Sequence, residues 1–349
     1  MNRIESGWPA LPSSTRAKLL LVYLWCALLN LLVIWSFFFD DPFLEKLHLD
    51  HFTRKPFLKL IISANANWNY QLAYACTLPH YLLHLPRIVH LLDSAPQYRA
   101  VFVPEGTDHR KLGFWYFALW TLVQLLFFAV SYMEILGEYY LLFSIPSLLF
   151  HWPLMFINYL MFTLPLCIAH YTQLGTFLAL KIISKNASTL DQDLLQQLKA
   201  LAQLTAALHA LNSFPLTVFL LSNTVDSLSV LCRLSVRFQL GLAIYFLSMF
   251  GYQLYLARLS TRTVHLLREI IRRQTGALEL ETADEKDEVD ENRQHRNYPI
   301  HLSQLRTLYE DRFRVRLFSL AAVDYAFIVA IALFTLKYTV FMLQTKTES

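Results

Sequence analysis

The sequence predicts an all-α membrane protein with about seven transmembrane helices, and three observations carry that prediction. Of its 349 residues, 55% are hydrophobic and only 16% charged, against roughly 25% charged in an ordinary soluble domain. The apolar residues come in long continuous runs, whereas the strands of a transmembrane barrel alternate polar and apolar at every second position. Lys and Arg gather beside one set of run ends, as they do on the cytosolic side of a bilayer.

A hydrocarbon core of about 30 Å takes about 20 helical residues at 1.5 Å each. Residues 1–18 form a cytosolic tail with Trp8 and two prolines, and the run that follows is too long for a signal-peptide core, so it is expected to remain as the first span. Spans are expected near 19–39, 57–84, 112–134, 148–180, 212–232, 236–258 and 317–343. The fourth is expected as one long helix behind a short interfacial segment, with Pro146, Pro153 and Pro165 available to break or kink it. With the N-terminus in the cytosol, 22 of the 30 Lys and Arg fall on cytosolic segments and the short tail after the seventh span lies outside the cell. The sequon that starts at Asn186 is then cytosolic and unglycosylated.

Two cytosolic stretches carry helical patterns. Leu190, Leu194, Leu198, Leu201, Leu204, Leu208 and Leu211 recur every three or four residues, which draws one apolar stripe along a helix at 190–211. Leu302, Leu305, Tyr309 and Phe313 repeat the pattern in the basic loop 259–316, and together the two predict a helical base below the membrane. Within that loop, residues 279–291 are rich in Asp and Glu with almost no apolar anchor, the composition of a disordered insertion.

Several chemistries find no support. Cys26, Cys76, Cys167 and Cys232 all sit in apolar runs, as small buried hydrophobes do, so neither a disulfide framework nor a metal site is expected. His80, His84 and His90 lack a carboxylate partner motif, and no phosphate loop or nucleophile elbow occurs; no enzyme activity and no cofactor are expected. The net charge of +4 forms no basic stripe, which argues against nucleic acid as a partner.

The last span, Leu317 to Thr345, holds Phe318, then Val323, Asp324 and Tyr325, and ends in Tyr338, five residues from Thr339 to Leu343, and Gln344. It resembles the last transmembrane helix of the insect gustatory receptors, whose signature is a Thr-Tyr pair, five apolar residues and a Gln-Phe pair, behind an acid near the cytosolic start of the helix. Lys337 replaces the signature's Thr and Thr345 its Phe. The resemblance implies a plasma-membrane chemosensory receptor: a ligand-gated, non-selective cation channel built as a homo- or hetero-tetramer. The seventh helix would line the pore, and a small organic ligand would bind in the outer half of each bundle. The two departures leave open a non-conducting subunit of the same fold, and a transporter is a further alternative.

On that reading Gln344 is the matched pore residue, offering permeating ions an amide in place of hydration, unless it only marks the outer end of the helix. Lys337 lies seven residues earlier, within about 20° of Gln344 on the helix. It would face the same pore and oppose cations, or else snorkel outward from about 9 Å beyond a span centre near Ile331. Asp324 is expected to clamp the helix to the base through Arg312, Arg314 or Arg316, and Tyr338 to pack between helices. Polar residues at membrane depth are candidates for the ligand pocket or for interhelical contacts: Asn67, Trp68, Gln124, Tyr132, His151, Asn158, Gln239 and Tyr245.

Overall fold

The computed structural model describes residues 162–186, 192–236, 238–284, 310–317 and 321–344, with isolated positions among 13–28, 69–91 and 115–130. The described residues are mostly helical. Four helices are α1, Leu164–Asn186; α2, Gln192–Val236; α3, Leu240–Asp284; and α4, Tyr325–Gln344. Two-residue strands β1, Arg316–Leu317, and β2, Ala321–Ala322, pair antiparallel just before α4, Arg316 opposite Ala322 and Leu317 opposite Ala321. Three of the helices, α1 to α3, are long and apolar enough to cross a membrane. The expected first three spans lie outside the described residues except at scattered helical positions and the helical run 118–123.

Each of α2 and α3 has 45 residues, about 68 Å of helix and twice the thickness of a bilayer core. The stripe helix expected at 190–211 and the fifth span are therefore one rod. Only residues 237–239 separate it from α3, so the two form a helical hairpin. The acidic stretch begins as helix too, because α3 runs to Asp284 and the loop 259–316 starts as its extension. In the fourth span the described helix starts at Leu164, with Pro165 in its first turn, where a missing amide hydrogen leaves no carbonyl unpaired; residues 148–161 lie outside the described residues.

α1 packs between α2 and α3. At one end, Ala179, Leu180 and Ile183 of α1 meet Leu198, Leu201 and Ala202 of α2, Leu267, Ile270 and Ile271 of α3, and Phe313. The leucine stripe read from the sequence is thus buried at Leu198, Leu201, Leu204 and Leu208. A second cluster fills the other half of the bundle, with Leu166, Phe219, Met249 and Leu256 among its buried members. It extends to Val315, Leu317, Val323 and Ile328, which bring the start of α4 into the bundle.

The last helix begins at Tyr325, eight residues later than the apolar pattern indicates, because Arg316–Leu317 and Ala321–Ala322 pair as β1 and β2 before it. Asp324 is its cap: its Oδ1 accepts from the backbone N–H of Phe327 at 2.9 Å, and its carbonyl accepts from Ile328 at 3.1 Å. This corrects the expected clamp. Arg316 reaches Asp311 at 2.9 Å instead, and Arg268 on α3 holds both carboxylate oxygens of Glu310 at 2.7 Å. Replacing Asp324 with Ala removes the cap and is expected to cost about 0.5–2 kcal/mol. Thermal unfolding in detergent measures it, with Asp324→Asn, which keeps a capping oxygen, close to the native chain.

Candidate functional site

Pro215 lies inside α2 and has no N–H to give the carbonyl of Leu211, four residues earlier. His80 supplies the missing donor: its Nε2 donates to that carbonyl at 2.6 Å. Next to it Tyr81 donates to Asn212 Oδ1 at 2.9 Å, and Asn212 donates to the carbonyl of Pro165 at 2.8 Å, joining Tyr81, α2 and α1. The histidine therefore has a structural part here, serving a carbonyl that Pro215 leaves without its helical donor. His80→Ala is expected to lower stability by about 1–3 kcal/mol. In a Pro215→Ala background the restored backbone N–H serves the Leu211 carbonyl, so most of that loss should vanish, and a double-mutant cycle reads the coupling directly.

Beside Phe313 a second chain of polar groups runs through the bundle. His209 Nε2 on α2 donates to Gln173 Oε1 on α1 at 3.0 Å, and Gln173 Nε2 donates to the carbonyl of Phe313 at 3.1 Å. Thr176 and Thr205 join the same two helices by a 3.0 Å hydroxyl contact. His170 points both ring nitrogens at carbonyls, Nδ1 at Leu166 and Nε2 at Tyr252, 3.0 and 2.9 Å away. A neutral ring donates to one of them at a time.

Towards the opposite end, Tyr245 of α3 is buried and donates its hydroxyl to Asp226 of α2. Asn69 and Ser222 exchange two hydrogen bonds, Asn69 Nδ2 to the Ser222 carbonyl at 2.8 Å and Ser222 Oγ to Asn69 Oδ1 at 2.9 Å. Along the same helix Asn223 Oδ1 and Ser229 Oγ are buried with no hydrogen-bond partner among the described residues. The expected pocket residue Tyr245 thus belongs to a polar patch around Asp226. Gln239 sits half-buried in the turn before α3, its carbonyl accepting from Ala243 at 3.1 Å. Asn67, Trp68, Gln124, Tyr132, His151 and Asn158 lie outside the described residues. Asp226 escaped the sequence reading, although an acid within an apolar span is itself a signal of function.

On α4 one narrow stripe faces the bundle: Ile328, Thr335 and Thr339 are buried. The two threonines bury their hydroxyls by donating to the carbonyls four residues back, Thr335 to Ile331 and Thr339 to Thr335, each at 2.8 Å. Leu333, Leu336 and Phe341 of the same helix are more than half exposed. Lys337 is nine residues past Ile328 and Gln344 sixteen, so they stand about 180° and 160° round the helix from it. Both are exposed, on the side facing away from the bundle. Tyr338 is 45% exposed and its ring lies 4.4 Å from that of Phe334, centroid to centroid, so it does not pack between this chain's helices as expected. The late start of α4 also moves its middle to between Phe334 and Thr335. Lys337 then lies about 4 Å from mid-helix, not 9 Å.

No protein-family model matches the chain, and no curated protein matches it.

Proposed function

We propose that the chain is a subunit of a chemosensory, ligand-gated ion channel of the gustatory receptor type, assembled as a tetramer of like subunits in the plasma membrane with its N-terminus in the cytosol. Seven spans, a cytosolic helical base and a small-molecule pocket in the outer half of the bundle belong to this reading. The observation that carries it is α4: a single buried stripe holds it to its own bundle, while Lys337 and Gln344 stand on the opposite face. An amine near the middle of a lipid-facing helix is costly, because its stem is too short to reach either interface from there. A water-filled axis shared with other copies removes that cost. The polar patch at Asp226, Tyr245, Asn223 and Ser229 supports a pocket for a small organic ligand.

Topology and conduction are tested together in a cell line expressing the full chain. Epitopes at the two termini should report the N-terminus inside and the C-terminus outside, and Asn186 should stay unglycosylated. A panel of small organic tastants should evoke current that Gln344→Ala alters. An external N-terminus would contradict the topology. Lys337 favours one second reading, a non-conducting subunit of the same fold. In that case the native chain carries no current, and replacing Lys337 with Thr and Thr345 with Phe creates it.

A further inference from the structure

Lys337 is the one charged residue of α4, and no acid shares the helix with it. Its neighbours along the outward face are Ala326, Ala330 and Leu333, with Gln344 two turns further on, so nothing on the helix balances its charge. We propose that the face carrying Lys337 forms an anion site: four ammonium groups around the shared axis that admit or hold a small monovalent anion such as chloride and turn cations away. The proposal rests on the reading of α4 as the axis-lining helix and fixes the selectivity of that site, against the cation permeation that the resemblance implies.

The physical case comes from depth and direction. Near the middle of the helix the ring would lie where low-dielectric protein and lipid surround a narrow column of water, and such walls strengthen a charge's field. Like charges facing one axis repel each other, and a counter-ion between them relieves the repulsion. Rings of Lys or Arg select anions in pores for the same reason that acidic rings select cations. The only other polar side chain on that face is the neutral amide of Gln344, which can turn its NH₂ group towards an anion as readily as its oxygen towards a cation.

The test needs no ligand. Gln344→Cys in the full chain, reconstituted in zwitterionic vesicles, is reacted with an anionic sulfonatoethyl and a cationic trimethylammonioethyl methanethiosulfonate. Each rate is divided by the reagent's rate on a free thiol, and labelling of the native cysteines is subtracted by peptide mass. The anionic reagent should be favoured about tenfold, in line with the local enrichment that a charged cleft produces. Adding Lys337→Gln should bring the ratio to within about twofold; both positions are exposed, so neither change disturbs packing. Modification without charge preference overturns the anion site and leaves the pore reading standing. Failure of both reagents to react means a dry outward face, which overturns both.

Discussion

Phe313→Ala is expected to destabilise the protein by about 3–5 kcal/mol, the cost of emptying a filled aromatic site. Phe313 is fully buried where α1, α2 and α3 meet, touching the cluster of Leu180, Leu201, Leu267 and Ile270. The described helix ends at Phe313 and strand β1 begins three residues later, so this side chain anchors the segment leading to β1 and α4. Its loss should also free Val315 and Leu317, which follow it into the second cluster. Thermal unfolding of the purified chain in detergent gives the number, with Phe313→Leu, which refills most of the volume, losing much less. A Phe313→Ala chain within about 1 kcal/mol of the native one would mean that the base is not packed as described.

Gln173→Ala should come next in size and differ in kind. One amide serves two partners, accepting from His209 and donating to the carbonyl of Phe313. Removing it leaves a buried imidazole N–H and a buried carbonyl unmatched, at about 1–3 kcal/mol for each. His209→Leu in the same chain should recover part of the loss, because removing both members of a buried polar pair is far milder than orphaning one. Gln173 also joins α1 to the segment that precedes the pore-helix candidate. In the channel reading its substitution should therefore shift the tastant concentration for half-maximal current. A structural amide with no role in gating would change stability and leave that concentration alone.

Local periodicity made the leucine stripe of α2 legible. Leu198, Leu201, Leu204 and Leu208 repeat at helical spacing and are buried as a set. The continuity of α2 was not legible, because the leucine stripe stops at Leu211 where the apolar span begins, and neither pattern says that one helix carries both. The partner of the carbonyl that Pro215 leaves without a helical donor is His80, 131 positions before Leu211 and invisible to any local pattern. The start of α4 failed for a different reason. Residues 317–323 are as apolar as a helix, and hydropathy does not register that Leu317 and Ala321 pair as antiparallel strands before Asp324 caps α4. Arithmetic at 100° per residue put Lys337 and Gln344 on one face, but the direction of that face depends on where Ile328, Thr335 and Thr339 are buried. Asp226 belongs to no repeating pattern, while its partner Tyr245 stands out by depth alone, so only the pairing of α2 with α3 reveals the two as a unit.

An image of the purified assembly in lipid nanodiscs tests the central claim most directly. The account predicts four copies around one axis, with α4 of each nearest that axis and Lys337 and Gln344 turned towards it. A single copy, or an assembly in which α4 meets lipid and no neighbouring subunit, would contradict it.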